Sequence, residues 1–232
     1  MSRGTLLLFA VAVLIGLPLI VVALSLLNPQ WDILAHLWQT VIPEYISHSL
    51  ILLVCVGLGV TVLGVSTAWC ISQYDFPGWR YLSWGLLLPL AMPAYITAYT
   101  YTGLLDYAGP VQQLIRDLFN VSIGDYWFPN IRSLGGAVFV LCVVLYPYVY
   151  LITRAAFMQQ STAAFESART LGAGSFKSFW RVAMPLARPA IATGVTLALM
   201  ETLADYGTME YFGVTVFTTG IFRTWYGIGD AQ

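Results

Sequence analysis

Apolar residues in this chain fall in long unbroken runs, at positions 5–27, 45–72, 81–105, 133–153 and 189–206. Shorter segments rich in polar residues, glycine and proline separate them. None of the runs alternates with the period of two that a strand with one wet face requires. The run 5–27 carries no charged residue. At 1.5 Å per residue it reaches roughly 35 Å, enough to cross a hydrocarbon core of about 30 Å. It is longer than the apolar segment of about 7–15 residues in a secretory leader, so it reads as a retained helix, with cleavage after Ser25 as the alternative. The run 189–206 meets Glu201 before its end, and the helix is expected to continue through it. In lipid only helices or closed barrels satisfy every backbone group, and the lack of alternation excludes a barrel. The pattern therefore predicts an all-α fold, a polytopic membrane helix bundle with five spanning helices. Residues 1–44 make the first helix and an outer loop, and residues 45–232 the remaining domain.

Composition agrees with a bilayer as solvent. Hydrophobic residues are 59% of the 232 positions and charged residues 9%, against about 25% charged in an ordinary soluble domain. The net charge of −1 gives no general attraction to nucleic acid. Cys55, Cys70 and Cys142 lie inside apolar runs without CxxC spacing and read as small packing residues. His36 and His48 stand too far apart in sequence to suggest a metal pair.

Basic residues set the orientation. With the N-terminus in the cytoplasm, Arg3, Arg80, Arg154, Arg169, Lys177, Arg181 and Arg188 lie inside, and Arg116, Arg132 and Arg223 outside. The outer loop 106–132 contains a stretch, 112–119, that can form a short surface helix. The tail 210–232 mixes aromatics, threonines and glycines. A sixth apolar helix is expected after it, which would make the chain a fragment of a longer protein; a five-helix protein is the alternative.

The largest inside loop is 154–188. Helix formers run over 163–171, and Gly172 can adopt the positive φ that ends a helix. Ser175 can cap a second short helix in which Phe176, Phe179, Trp180 and Ala183 share one face and Lys177 and Arg181 another. Pro185 is expected to end that element. Both helices are too short to be stable alone. By pattern, this two-helix bracket either docks on a partner or rests on lipid.

Residue identities favour docking. Glu166, Ala168, Gly172 and Pro185 resemble the EAA signature of binding-protein-dependent ABC permeases, with Ser167 in place of the first alanine and Met184 in place of the leucine before proline. The segments 88–101 and 201–213, with F-T-T-G-I-F-R-T-W after the second, resemble the ferric-iron-type branch. The resemblance implies an ABC type-1 transmembrane domain of MetI-like fold, truncated here, in a multi-pass protein of the cell (inner) membrane. It implies that Glu166, Ala168 and Gly172 touch an ABC ATP-binding subunit that holds ATP-Mg. It further implies an extracytoplasmic substrate-binding protein and a second permease half, fused or separate, as partners beside membrane lipid.

Two polar stripes are candidates for a translocation path. Glu201 and Asp205 are four residues apart near the end of the fifth helix, at a depth where ionisable groups usually line a wet cavity. Tyr95, Tyr99, Thr102 and Asp106 follow a helical rhythm on the third. Their oxygen donors suit a hard cation. The competing reading has the tyrosines as interfacial anchors and the carboxylates near the surface. Pro89 and Pro93 inside the third helix permit a kink, fixed or gating.

The chain holds no G-x-x-x-x-G-K, since its only lysine, Lys177, follows Phe176. It is expected to be a transport subunit without enzymatic activity or cofactor of its own, with ATP hydrolysed by the separate ATP-binding subunit. Phosphonate, polyamine, sulfate or thiamine are alternative cargoes within the family. An ion-coupled carrier using Glu201 and Asp205 as a proton relay, or a membrane scaffold, are the readings outside it.

Overall fold

A computed structural model describes residues 3–25, 27, 31–122, 124–160 and 174–227. No strand occurs among them. The chain divides into two units, Met1–Pro43 and Glu44–Gln232. The first contains α1, Arg3–Ser25, and α2, Trp31–Thr40. Within α1, Gly4–Leu24 has a mean hydropathy of 3.0 and the length to span a bilayer.

The second unit is built on three long helices. They are α3 (Ile42–Gln73), α7 (Leu134–Gln159) and α9 (Met184–Ala204). Between α3 and α7 lie α4 (Trp79–Gly85), a 3-10 turn Leu88–Ala91, α5 (Ala94–Leu105) and α6 (Pro110–Phe119). Before α9 comes the short α8 (Ser175–Ser178), and after it α10 (Gly207–Phe212) and α11 (Phe217–Gly227). Of the spanning window of α7, 61% is buried, against 28% for α3 and 22% for Phe176–Ala204, so α7 is the central helix.

Lipid offers no hydrophobic drive between helices, so small residues and close contact must hold them together. A Cβ on Gly64 of α3 would lie 2.6 Å from Val149 Cβ, and one on Gly194 of α9 would lie 2.7 Å from Val149 Cα. Glycine on both sides thus lets α3 and α9 close on the same turn of α7. Val56, Val60, Val140, Val149, Tyr150 and Ala198 fill the core around this contact. Hydroxyls on the spans turn back on their own helices: Thr61 Oγ1 donates to Gly57 O at 2.6 Å and Thr202 Oγ1 to Ala198 O at 2.8 Å.

The expected single helix over 81–105 is broken. The axes of Trp79–Ala91 and Ala94–Phe119 differ by 100°. Pro89 and Pro93 have no N–H, and the backbone tightens around them. Leu87 N bonds Trp84 O and Leu90 N bonds Leu87 O, each at 3.0 Å. That shift leaves the carbonyls of Ser83 and Leu86 without helical partners. Two buried tyrosines of α7 take them: Tyr150 Oη donates to Ser83 O at 3.1 Å and Tyr146 Oη to Leu86 O at 2.8 Å. The break is therefore braced from the central helix. Counting the broken pair as one span, the described residues hold up to five helices able to cross a membrane.

The fifth span starts earlier than its hydropathy predicts. Pro185 does not end a helix; a π turn, Phe179–Ala183, carries the backbone from α8 into α9, and Pro185 sits in the first turn of α9. The helix is already under way at Pro185, and the irregular π turn just before it accommodates a residue with no N–H to donate. The element runs Phe176–Ala204 as one apolar span.

Candidate functional site

Two regions carry the candidate chemistry. The first surrounds the loop that joins α7 to α8. Glu166, Ala168 and Gly172 lie outside the described residues, as does the first helix of the expected bracket. Both feet of the loop are described. Trp69 at the end of α3, Phe157 at the end of α7 and Phe179 in the π turn form an aromatic cluster. Ring centroids are 5.4 Å apart for Trp69–Phe157, 4.9 Å for Trp69–Phe179 and 6.5 Å for Phe157–Phe179. Gln160, the first residue past α7, donates Nε2 to Ala183 O at 3.0 Å. That bond ties one foot to the other across the loop. On the expected apolar face of α8 and its π turn, Ala183 is fully buried, while Phe176 and Trp180 are exposed. Four buried polar atoms have no partner among the described residues: Thr153 Oγ1, Arg154 Nε, Gln160 Oε1 and Ser178 Oγ. All four belong to the feet of this loop.

The second region is a cavity of about 450 Å³ at the other end of α7 and α9. The break before α5 opens it, since Leu90 to Tyr95 form one wall and Leu141, Val144, Leu145 and Tyr148 of α7 another. Glu201, Asp205 and Tyr206 also line it, and among the described residues the lining contains no lysine, arginine or histidine. Tyr95, Glu201 and Asp205 thus line one cavity. Tyr99 lines a neighbouring pocket of about 290 Å³ with Tyr95, Ile96, Gly207 and Tyr211.

The two stripes do not extend as the helical rhythm predicts. Thr102 is buried and donates to Ala98 O at 2.8 Å. Asp106 pairs with Arg132 at 3.6 Å. Helix α9 ends at Ala204, and Asp205 has extended backbone with ψ of 110°. Its carboxylate turns to α10, where Oδ1 accepts from Thr208 N at 2.7 Å and Oδ2 from Thr208 Oγ1 at 2.8 Å. Asp205 therefore serves as a helix cap. Glu201, exposed to the cavity, is its more open carboxylate.

Sequence reasoning missed Gln160, Trp69, Phe157 and Tyr148. The spacing of Tyr146 and Tyr150, hydroxyls four residues apart on an apolar helix, was a readable signal that a polar partner was needed. Gln160 carried no such signal. Among the described residues no cluster of three or more metal-ligating side chains occurs.

Residues 2–227 match the family described as the binding-protein-dependent transport system inner membrane component. The chain is 24% identical over 91% of its length to the Fe(3+)-transport system permease protein FbpB 2 of Haemophilus influenzae, and spans 38% of that relative. It is 28% identical over 73% of its length to the molybdenum transport system permease protein ModB of Escherichia coli K12, covering 69% of that relative. The sulfate transport system permease protein CysT of Salmonella typhimurium is 27% identical over 91% of the chain, with 73% of the relative covered. In fold, the chain is similar to a crystal structure of a bacterial ABC transporter involved in the import of the acidic polysaccharide alginate, with a TM-score of 0.75, 19% identity and coverage of 97% of this chain and 84% of that one. With its apolar spans, braced break and glycine-packed central helix, the chain belongs to the family of inner-membrane components of binding-protein-dependent transport systems.

Proposed function

We propose that this chain forms half of the translocation path of an ATP-driven importer, with its N-terminus in the cytoplasm. Separate ATP-binding subunits hold ATP-Mg, an extracytoplasmic binding protein delivers the cargo, and a second permease half, fused or separate, completes the path. Glu166, Ala168 and Gly172 make the docking surface for the ATP-binding subunit, and Pro185 starts the helix that carries its motion into the membrane. The observation that carries this reading is the clamped base of the loop. With Gln160 bonded to Ala183 O and Phe179 packed against both Trp69 and Phe157, a push on 161–173 is poorly absorbed at the feet. It moves the ends of α3, α7 and α9 together, because close-packed interiors transmit displacement. The open polar atoms of Thr153, Arg154, Gln160 and Ser178 suit a region that takes polar partners.

The cargo we propose is ferric iron. Sequence identity does not separate an iron permease from molybdate or sulfate permeases, since all three lie between 24% and 28%. The cavity supports the choice. Glu201 and Asp205 face it, with Tyr95 and Tyr148 as further oxygen donors and no basic residue in its lining. Hard oxygen ligands suit a hard cation. A unit of negative charge about 5 Å from a carboxylate costs roughly 3 kcal/mol at an effective dielectric near 20, which opposes a divalent oxyanion twice over. Uptake into liposomes, measured with ATP-binding subunits and binding protein present, tests the reading. Ferric uptake requiring both ATP and the binding protein is expected, and Glu201→Gln lowers it about tenfold. Uptake that instead collapses with the proton gradient would make the chain an ion-coupled carrier. Preference for sulfate or molybdate, or unchanged uptake with Glu201→Gln and Asp205→Asn combined, would remove the carboxylates from the path.

A further inference from the structure

Helix α6 joins the end of α5 through only the turn Asp106 to Gly109, so it forms the last part of Ala94–Phe119, the second half of the broken pair. It is held there rigidly. Pro110 starts it, and Asn120 ends it in the left-handed conformation at φ 52°. A Cβ on Gly109 would lie 2.5 Å from Leu104 O, so the backbones touch at the turn. Gln112 is buried; its Nε2 donates to Leu105 O at 2.9 Å, and its Oε1 accepts from Tyr126 Oη at 2.8 Å. Arg116 donates to Tyr126 Oη and to Tyr107 O, both at 3.1 Å. Gln113 Nε2 reaches Ala108 O at 2.9 Å.

These bonds fix which side of α6 faces out. At 100° per residue, Leu114, Leu118 and Val111 lie on one flank and Gln113, Asp117 and Arg116 on the opposite one. The buried Gln112 marks the inward direction between the flanks. The outward arc is therefore split lengthwise, with Leu114 (65% exposed) and Leu118 (72%) along one half and Gln113 and Asp117 along the other. Phe119 at the end of the helix (68%) and Trp127 in the following loop (87%) are exposed as well. Leucines along one half of the outward arc and a carboxylate along the other match a boundary between lipid and water better than either medium alone.

We propose that α6 is a membrane-surface anchor that lies in the headgroup–acyl boundary, with its Leu114–Leu118 flank in lipid and its Gln113–Asp117 flank in water. The flank belongs to a chain whose long helices are apolar enough to span a bilayer, and α6 follows α5 after a turn of four residues. One flank of a ten-residue helix is also smaller than the roughly 800 Å² that a stable protein interface takes from each partner. By this contact α6 sets the depth of α5, and with it the height of the wall that carries Tyr95.

Site-directed spin labelling of the full chain in phospholipid liposomes tests this, with Cys55, Cys70 and Cys142 replaced by alanine. Labels at Leu114→Cys and Leu118→Cys are expected to collide several-fold more with oxygen, relative to a water-soluble nickel chelate, than labels at Gln113→Cys and Asp117→Cys. Equal nickel access at all four positions would overturn the anchor. So would shielding of 114 and 118 from both reagents, whether at rest or on adding the binding protein, because a protein would then be the occupant. The same cysteines carrying a polarity-sensitive fluorophore give a second reading: blue-shifted emission at 114 and 118 supports the anchor, and equal emission at all four overturns it.

Discussion

Where α3 ends, Trp69, Phe157 and Phe179 close three helices around one aromatic cluster. Where α3 begins, no ring pair joins it to its neighbours among the described residues, and hydrogen bonds do most of the joining. Thr215 Oγ1 donates to Glu44 Oε1 at 2.6 Å. His48 Nδ1 lies 3.0 Å from both Thr215 O and Thr215 Oγ1. Phe217 N donates to Ser49 Oγ at 3.3 Å, and Thr218 Oγ1 to Asp205 O at 3.2 Å. The two ends are about 30 Å apart at 1.5 Å per residue. Aromatic pairs contribute about 0.5–1.5 kcal/mol each beyond burial and tolerate small rotations. Side-chain hydrogen bonds between membrane helices contribute about 0.6 kcal/mol on average and are lost with modest misalignment. At the cluster end the ring contacts tie three elements to one another. The bonded end holds its register through single hydrogen bonds, and one of its residues, Asp205, also lines the cavity with Glu201.

The largest break in this contrast comes at the loop above the cluster. Gly172→Val is expected to lower ATP-driven uptake more than tenfold while membrane insertion and ATP hydrolysis persist, read by uptake and hydrolysis in the same liposomes. Wild-type uptake would end the docking assignment. Next comes the cluster itself. Phe157 is 2% exposed, and Phe157→Ala should destabilise the chain by about 3 kcal/mol, measured as a lower denaturation midpoint in detergent. Thr215→Val, at the bonded end, should cost only about 1 kcal/mol by the same measurement. Equal losses from the two variants would erase the distinction between the ends.

The sequence made α1, α3 and α7 readable, because their apolar runs are long and nearly free of charge. The break before α5 was hidden, since hydropathy sums over Leu88 to Ala94 without asking which carbonyls the two prolines release. Its brace comes from Tyr146 and Tyr150, some 60 positions away. The start of the fifth span was obscured by Lys177 and Arg181, which make 176–183 look like a surface helix although a π turn joins it to α9. The meeting of Tyr95 with Glu201 was legible from polar residues at helical spacing on apolar spans. The clasp from Gln160 was not, because a glutamine at a helix end has many partners open to it and only the fold selects Ala183 O.

Asp205 allows the finest cut, because it stands both in the cavity and in the bonded end. Its two oxygens hold Thr208 N and Thr208 Oγ1, a task in which asparagine substitutes well and alanine does not. Asp205→Ala should destabilise the chain by about 1 kcal/mol. Asp205→Asn should be nearly neutral in stability, because its amide oxygen still accepts from Thr208 N. Uptake by the asparagine variant then separates charge from capping. If the cavity uses only the Glu201 carboxylate, Asp205→Asn transports within about twofold of the parent and only the alanine variant fails. If Asp205→Asn loses transport while keeping its denaturation midpoint, the charge itself acts on the cargo, and the bonded end belongs to the path as well as to its frame.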